Sequence, residues 1–509
     1  MTDPAMDAEA RTSSAPSSPV AKRPKRPTSR RPKAKPPAVV EKRKGLGKKE
    51  IIGLILGAIL FLVPFVIDIP NLAEPGERML SIFFVAIVFW IFEPVPLTAT
   101  AVLVIFLEVI LVSKGAITDP TGGDAELATS VIPAASYFAA LANPVIILFL
   151  GGFMIADGAE KYHLDKNLAA VFLKPFAGSA RMTVLGLMSI TALLSMFMSN
   201  TATTATMFAV VIPVIAALPK GKSRAGVALS IPLAANVGGI GTPVGTPPNA
   251  IALGVLQEQG IRVSFIDWMI MAIPLMLVIL AFSWVFLCAI FIPKGQSVPI
   301  SMETEWDTST NAKIFYAIAG LTILLWMTEP IHGVSSNIVG FFPVVALLCL
   351  KVMDGADVQK LDWPVLWLVS GGIALGTGVG ATGLDAWLVG SVKWESLGAT
   401  AIVGLLGLIG FLLANVISHS AAANLLVPLA VSLAVSLDGV NTITVAVVVA
   451  IACSLGMSMP ISTPPNAIAY STGEIQVKDM ALVGIVVGVI ATAMLIFLMP
   501  PMWSMLGLI

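Results

Sequence analysis

The heptapeptide Thr-Pro-Pro-Asn-Ala-Ile-Ala occurs twice, at 246–252 and at 463–469, each time deep inside a long apolar segment. Two adjacent prolines cannot continue a helix, because neither donates a backbone hydrogen bond and each ring crowds the preceding turn. They suit the first turn of a new helix instead, with Thr246 or Thr463 as its N-cap. The stretch before the first copy, Gly238-Gly239-Ile240-Gly241-Thr242-Pro243-Val244-Gly245, offers small side chains and free carbonyls for an unwound link, and 456–462 precede the second copy in the same way. The chain must therefore fold with two interrupted helices in corresponding places.

The solvent for those breaks is lipid. With 57% hydrophobic and 12% charged residues over 509 positions, the chain is too apolar for a soluble protein of this size. A spanning helix needs roughly 20 apolar residues, and eleven such segments are expected, at 51–69, 79–92, 97–112, 131–158, 225–256, 265–291, 314–328, 335–350, 363–389, 442–470 and 480–498. Cys288, Cys349 and Cys453 lie in apolar segments without metal-ligand spacing and are expected to be buried structural thiols.

Orientation follows from charge. Of the 30 Lys and Arg, 14 fall in the first 50 residues, against 5 acidic residues there. That tail, rich in Pro and Ser, cannot bury a core, and basic residues beside a first span stay cytoplasmic. Lys161, Lys166, Lys174 and Arg181 mark a further cytoplasmic loop, as do Lys220, Lys222 and Arg224. The apolar segment 182–218 between those two loops leaves and re-enters one side, so it is expected to be a re-entrant hairpin turning at Ser199-Asn200-Thr201. A second hairpin, 400–437, turns at Ser418-His419-Ser420 and enters from outside. The expected divisions are a disordered cytoplasmic tail (1–49), a first repeat (50–293), a cytoplasmic linker (294–313) and a second repeat (314–509), with an external C-terminus.

The halves carry the same landmarks in order. Glu93-Pro94 recurs as Glu329-Pro330, an offset of 236; Gly151-Gly152 and Leu164-Asp165 recur as Gly371-Gly372 and Leu384-Asp385, an offset of 220; Ser199 recurs as Ser418, an offset of 219; and the heptapeptide recurs at 217. An odd number of spans between corresponding features makes the second copy upside down, and inverted repeats with interrupted helices point to a secondary transporter with a midplane site. The fold class is thus an all-α polytopic membrane protein, about 11 transmembrane helices plus two re-entrant hairpins in an inverted-topology repeat.

Four half-helix N-termini would converge on one region, favouring an anion, while unwound carbonyls suit a small hard cation. No Lys or Arg lies in these motifs, so a multiply charged anion needs co-bound cations. An ion channel would lack a ring-like repeat here, and an enzyme would need a nucleophile–base pair or metal ligands, for which three scattered His give no support.

The Ser-Asn-Thr hairpin tip and the paired Pro-Pro-Asn-Ala-Ile stretches resemble those of the divalent anion:sodium symporter (DASS) family of di- and tricarboxylate carriers, over nearly everything after residue 50. The resemblance implies a homodimer whose protomers pair a scaffold with a transport domain moving in an elevator-like fashion. It implies a first sodium site at Ser195, Ser199, Asn200 and Gly245. Substrate carboxylates would meet Asn200, Thr201, Thr246 and Pro247 from one half, and His419, Ser420, Thr463 and Pro464 from the other. A second sodium site would use the surroundings of Ala414, Ile417, His419 and Ser462, largely through carbonyls. The chain departs from the family at the second tip, where His419 stands in place of asparagine; an imidazolium there could replace a sodium ion. The expected function is sodium-coupled uptake of a dicarboxylate such as succinate, malate or fumarate. Sodium-independent dicarboxylate exchange is the alternative, and sulfate and citrate remain open as substrates. The expected partners are the anion, sodium and membrane lipid, with no cofactor and no nucleic acid, in a bacterial inner membrane.

Overall fold

A computed structural model describes residues 46–124, 127–295, 304, 306–391, 394 and 397–509. The expected basic tail up to residue 45, and residues 296–303 and 305 of the expected linker, lie outside them. Among the described residues every regular element is a helix. The chain begins with α1 (Lys48–Val66), α2 (Glu74–Phe92), α3 (Leu97–Leu111), the short α4 (Leu127–Ser130) and α5 (Ala134–Ala139), α6 (Pro144–Lys161) and α7 (Leu164–Leu173). It continues through α8 (Ala180–Ser195), α9 (Asn200–Ala217), α10 (Lys222–Gly239), α11 (Pro247–Glu258) and α12 (Phe265–Ile290). The second half opens with α13 (Thr310–Met327), α14 (Glu329–His332), α15 (Ser336–Cys349), α16 (Gly355–Lys360), α17 (Trp363–Ala381) and α18 (Leu384–Gly390). It closes with α19 (Ala399–Val416), α20 (His419–Ser436), α21 (Thr442–Ser454), α22 (Pro464–Ser471), α23 (Val477–Phe497) and α24 (Met499–Met505).

Ten helices among the described residues are long and apolar enough to cross a membrane, and α3, α8, α15 and α21 are shorter apolar helices. The most exposed of the ten, α1, turns Ile52, Ile55, Ile59 and Leu62 outward, which is stable where the surroundings are as apolar as the side chains. Three details differ from the sequence expectations. The loop carrying Lys166 contains α7, a two-faced helix whose Asp165 is buried. The segment 363–389 is two helices rather than one span, because Gly383 turns the chain at φ 69°. Its counterpart at offset 220 is His163, which adopts the same left-handed conformation at φ 55° before α7. The third concerns the thiols: Cys288 and Cys453 are buried, but Cys349 is exposed.

The glycine landmarks mark helix crossings between the halves. In α6, which packs on α15, a Cβ at Gly151 would lie 1.9 Å from the Gly340 carbonyl oxygen. In α17, which packs on α3, a Cβ at Gly371 would lie 2.4 Å from the Ala101 Cβ. Since α3 follows Glu93-Pro94 and α15 lies beyond Glu329-Pro330, the two contacts are the same contact with the halves exchanged. At their matching double glycines α6 and α17 thus each press backbone against a helix of the other half, as small residues allow in membrane packing.

Gly151→Ala must push α6 off α15, an overpacking that costs about 1–3 kcal/mol. A Cβ added at Gly320, inside α13, would meet nothing within 4 Å, so Gly320→Ala gains only the helix preference of alanine, about 0.5–1 kcal/mol. Thermal unfolding of the purified variants should therefore move in opposite directions, and an unchanged melting temperature for Gly151→Ala would contradict the close crossing.

Candidate functional site

Four helices begin at the centre of the fold, each for a reason visible in its first residues. At the first tip α8 ends at Ser195, and Ser199 caps α9 by accepting a hydrogen bond from the Ala202 amide at 3.1 Å. At the second tip Ser418 caps α20 the same way, from the Ala421 amide at 3.2 Å. The prolines of the two heptapeptides occupy the first turns of α11 and α22. Thr463 accepts from the Asn466 amide at 3.2 Å, whereas Thr246 occupies its N-cap position without a side-chain cap.

The asparagines of the heptapeptides hold the unwound links. Asn249 Nδ2 donates to the carbonyls of Gly239 and Thr242 at 3.0 and 2.8 Å. Asn466 Nδ2 donates to those of Met457 and Met459 at 2.9 and 3.0 Å. Each link is thereby fixed by its own downstream half-helix, a function that explains why Asn follows the two prolines. The halves are also stitched directly, since Asn236 Nδ2 donates to Thr463 Oγ1 at 3.3 Å and to Asn466 Oδ1 at 3.1 Å.

A cavity of about 140 Å³ lies among these four helix starts. Asn200, Thr201, Thr246 and Pro247 line it from the first half. His419, Ser420, Thr463 and Pro464 line it from the second, so all eight residues expected to meet a substrate share one cavity. Ser199, Gly245 and Ser462 also reach it, while Ser195, Ala414 and Ile417 are buried behind it. Phe149, Phe153, Val244, Val365 and Asp362 complete much of the remaining lining. The volume is well below the roughly 300–1,000 Å³ of sites for drug-sized ligands and fits a small ion. A larger cavity, about 910 Å³, opens between the start of α6 and the start of α15, but none of the expected site residues line it.

Beside Asn200 the first half gathers oxygens. Ser195 Oγ donates to the Ala235 carbonyl at 2.8 Å and hydrogen-bonds to the Asn200 side chain. With its nitrogen turned inward, the Asn200 amide donates to the carbonyls of Ala235 and Gly245, each at 3.2 Å. With its oxygen turned inward, the same amide completes an all-oxygen cluster with Ser195 Oγ and the two carbonyls, donors that match a small hard cation. Only glycine fits alongside: a Cβ at Gly239 would meet Asn200 Oδ1 at 2.5 Å, and one at Gly245 would meet the Gly239 carbonyl oxygen at 2.4 Å.

The second half repeats the backbone but not the donors. Ala414 stands where Ser195 stands in the first half and offers no hydroxyl. His419 Nε2 donates to the Gly456 carbonyl at 2.9 Å, the carbonyl equivalent to that of Gly239. Ser462 donates to the Asn415 carbonyl at 3.3 Å. Of the second expected sodium set, Ala414 and His419 therefore meet around Gly456, and an imidazole N–H already occupies one of the carbonyls there.

Several participants were not singled out from the sequence. Asn236 was visible as an isolated amide in an apolar helix just before a double glycine, a placement that is costly in a membrane without a role. The Ala235 carbonyl and the Asp362 carboxylate carried no such signal.

The fold and site define a class: a multi-pass membrane transporter whose interrupted helices enclose a small cavity. A family model described as the sodium:sulfate symporter transmembrane region matches residues 48–509, and the chain belongs to that family, the divalent anion:sodium symporters. The sodium-dependent dicarboxylate transporter SdcS of Staphylococcus aureus is 29% identical over 499 aligned residues, covering 90% of this chain and 92% of that protein. Its namesake from Staphylococcus saprophyticus is 28% identical over 495, covering 89% and 92%. Among solved structures, the YdaH transporter of Alcanivorax borkumensis superposes with a TM-score of 0.54 at 13% identity, over 85% of this chain and 99% of that one. Neisseria gonorrhoeae MtrF gives 0.53 at 14% identity, over 90% and 95%. At such low identity these two likenesses concern the fold alone.

Proposed function

We propose that the protein carries C4-type dicarboxylate anions across a bacterial inner membrane and couples their uptake to sodium. The observation that supports this reading best is the cavity itself: four helix starts around a small volume lined, among the described residues, by no Lys or Arg, next to the oxygen cluster at Asn200. Helix N-termini favour the anion, but a dianion also needs counter-charge, and a sodium ion between Ser195, Asn200, Ala235 and Gly245 supplies it at close range. Turning the Asn200 amide from nitrogen-inward to oxygen-inward links cation binding to the shape of the anion site. The names of the staphylococcal relatives point the same way.

The exchanged contacts of α6 with α15 and of α17 with α3, together with the left-handed residues at 163 and 383, support an inverted repeat. The homodimer, the elevator-like movement, the cytoplasmic N-terminus and the external C-terminus belong to the same reading.

A second reading is sodium-independent exchange of one dicarboxylate for another, favoured by the His419 hydrogen bond to Gly456. One stability screen of the purified protein tests anion class and cation dependence together, with succinate, malate, fumarate, citrate and sulfate, each in sodium or choline. A ligand at a hundred times its Kd adds about 2.7 kcal/mol of apparent stability. The expected result is stabilisation by C4 dicarboxylates in sodium and little in choline. No dicarboxylate response in either salt would sink the reading, and strong succinate counterflow in sodium-free proteoliposomes would select exchange over symport.

A further inference from the structure

Building on the dicarboxylate reading, we infer that Asp362 is a specificity-determining residue of this cavity, a fixed negative charge that selects against anions of higher charge. Among the described residues, Asp362 and His419 are the only titratable side chains that line the cavity, and Asp362 is the only one that carries a negative charge. An acidic residue lining an anion site needs an explanation, because like charges brought together cost binding free energy.

Capping is the one structural duty open to Asp362: it occupies the N-cap position of α17 with the Val365 amide close to its carboxylate, a duty that asparagine or serine would fill without the charge. The neighbouring lysines do not neutralise it, since Lys161 and Lys360 both pair with Asp357, at 2.6 and 3.6 Å. Its position is nonetheless fixed. The Trp363 indole donates to the Val358 carbonyl at 3.0 Å on one side, and Thr98 Oγ1 donates to the Pro364 carbonyl at 3.3 Å on the other. Asp157 on α6 lies in electrostatic range of Asp362, as well as of Glu160, Asp357 and Lys360.

The consequence is discrimination by charge. The helix starts and the cation cluster attract any anion, so they cannot distinguish two carboxylates from three. A repulsive element can, and specificity often rests on one. The penalty from Asp362 grows with the ligand's charge, falling more heavily on citrate than on succinate. Because Asp362 is exposed, the effect is moderated by solvent and shrinks with ionic strength.

The test is equilibrium binding of succinate and citrate to the purified full-length protein in sodium, comparing wild type, Asp362→Asn and Asp362→Glu at low and high added choline chloride. Asp362→Asn is expected to tighten citrate about five- to tenfold and succinate about two- to threefold. That gain should fade at high salt, and Asp362→Glu should keep the wild-type ratio. An unchanged citrate-to-succinate ratio in Asp362→Asn overturns the inference while leaving the dicarboxylate reading intact. A change confined to sodium affinity overturns it too, assigning the carboxylate to the cation instead. If succinate binds neither wild type nor variant, the dicarboxylate reading fails and this inference fails with it.

Discussion

Asn200→Ala is expected to lower sodium-driven succinate uptake into proteoliposomes by at least about a hundredfold, in a protein that remains monodisperse and folded. The size follows from the contacts. Among the described residues the Asn200 amide is the one side chain that belongs to both the cavity and the oxygen cluster, reaching Ser195, Ala235 and Gly245 while lining the cavity. Each hydrogen bond to a charged partner contributes about 1.5–3 kcal/mol. Losing an oxygen ligand of the cation and a hydrogen bond to the anion, each taken at that size, therefore removes about 3–6 kcal/mol, a factor of about 10² to 10⁴. The fold should survive, because alanine is well tolerated in a first helical turn and Ser199 still caps α9. Ser199→Ala makes the contrast, costing about 1 kcal/mol of helix stability. Uptake above about a tenth of wild type in Asn200→Ala would remove this amide from the centre of the mechanism.

How much of this was legible in the sequence depends on where each feature is encoded. The helix breaks were, because two adjacent prolines have few conformations open to them whatever surrounds them. The hairpin tips were, because Ser-Asn-Thr and Ser-His-Ser interrupt otherwise apolar runs. Asp362, Phe149 and Phe153 were not, because they reach the cavity from other helices and nothing local distinguishes them from any loop acid or membrane aromatic. The work of Asn249 and Asn466 was hidden for a related reason: their identity is local, but the carbonyls they hold lie seven to ten residues back across an unwound link. Helix α7 escaped because a ten-residue helix with one polar face carries too weak a hydropathy signal to stand out from a charged loop. His419 sits between these cases. The sequence marked it as a departure, and only the fold supplied its partner, the Gly456 carbonyl.

The strongest test of that asymmetry adds a single methyl group. Gly245→Ala is expected to reduce uptake by about a hundredfold, because its Cβ would lie 2.4 Å from the Gly239 carbonyl oxygen and neither atom is free to retreat. Asn249 Nδ2 holds the Gly239 carbonyl at 3.0 Å, and the Gly245 carbonyl is itself one wall of the oxygen cluster. Relieving the clash means shifting one of those carbonyls by about an ångström, while a working site tolerates only about 0.5 Å. Stability should fall far less than activity, by about 1–3 kcal/mol. The second half offers the control. The position equivalent to Gly245 is Ser462, which already carries a Cβ and a hydroxyl bonded to the Asn415 carbonyl. Ser462→Gly should therefore keep most of the uptake, whereas two equivalent cation cradles would make the two substitutions comparably severe. A Gly245→Ala protein that transports like wild type would mean that the carbonyls around Asn200 only pack the fold, and the cation would then have to be sought elsewhere. If instead Gly245→Ala is inactive and Ser462→Gly is not, the repeat has kept its backbone in both halves but its cation chemistry in one, and His419 occupies the place where the other half gave it up.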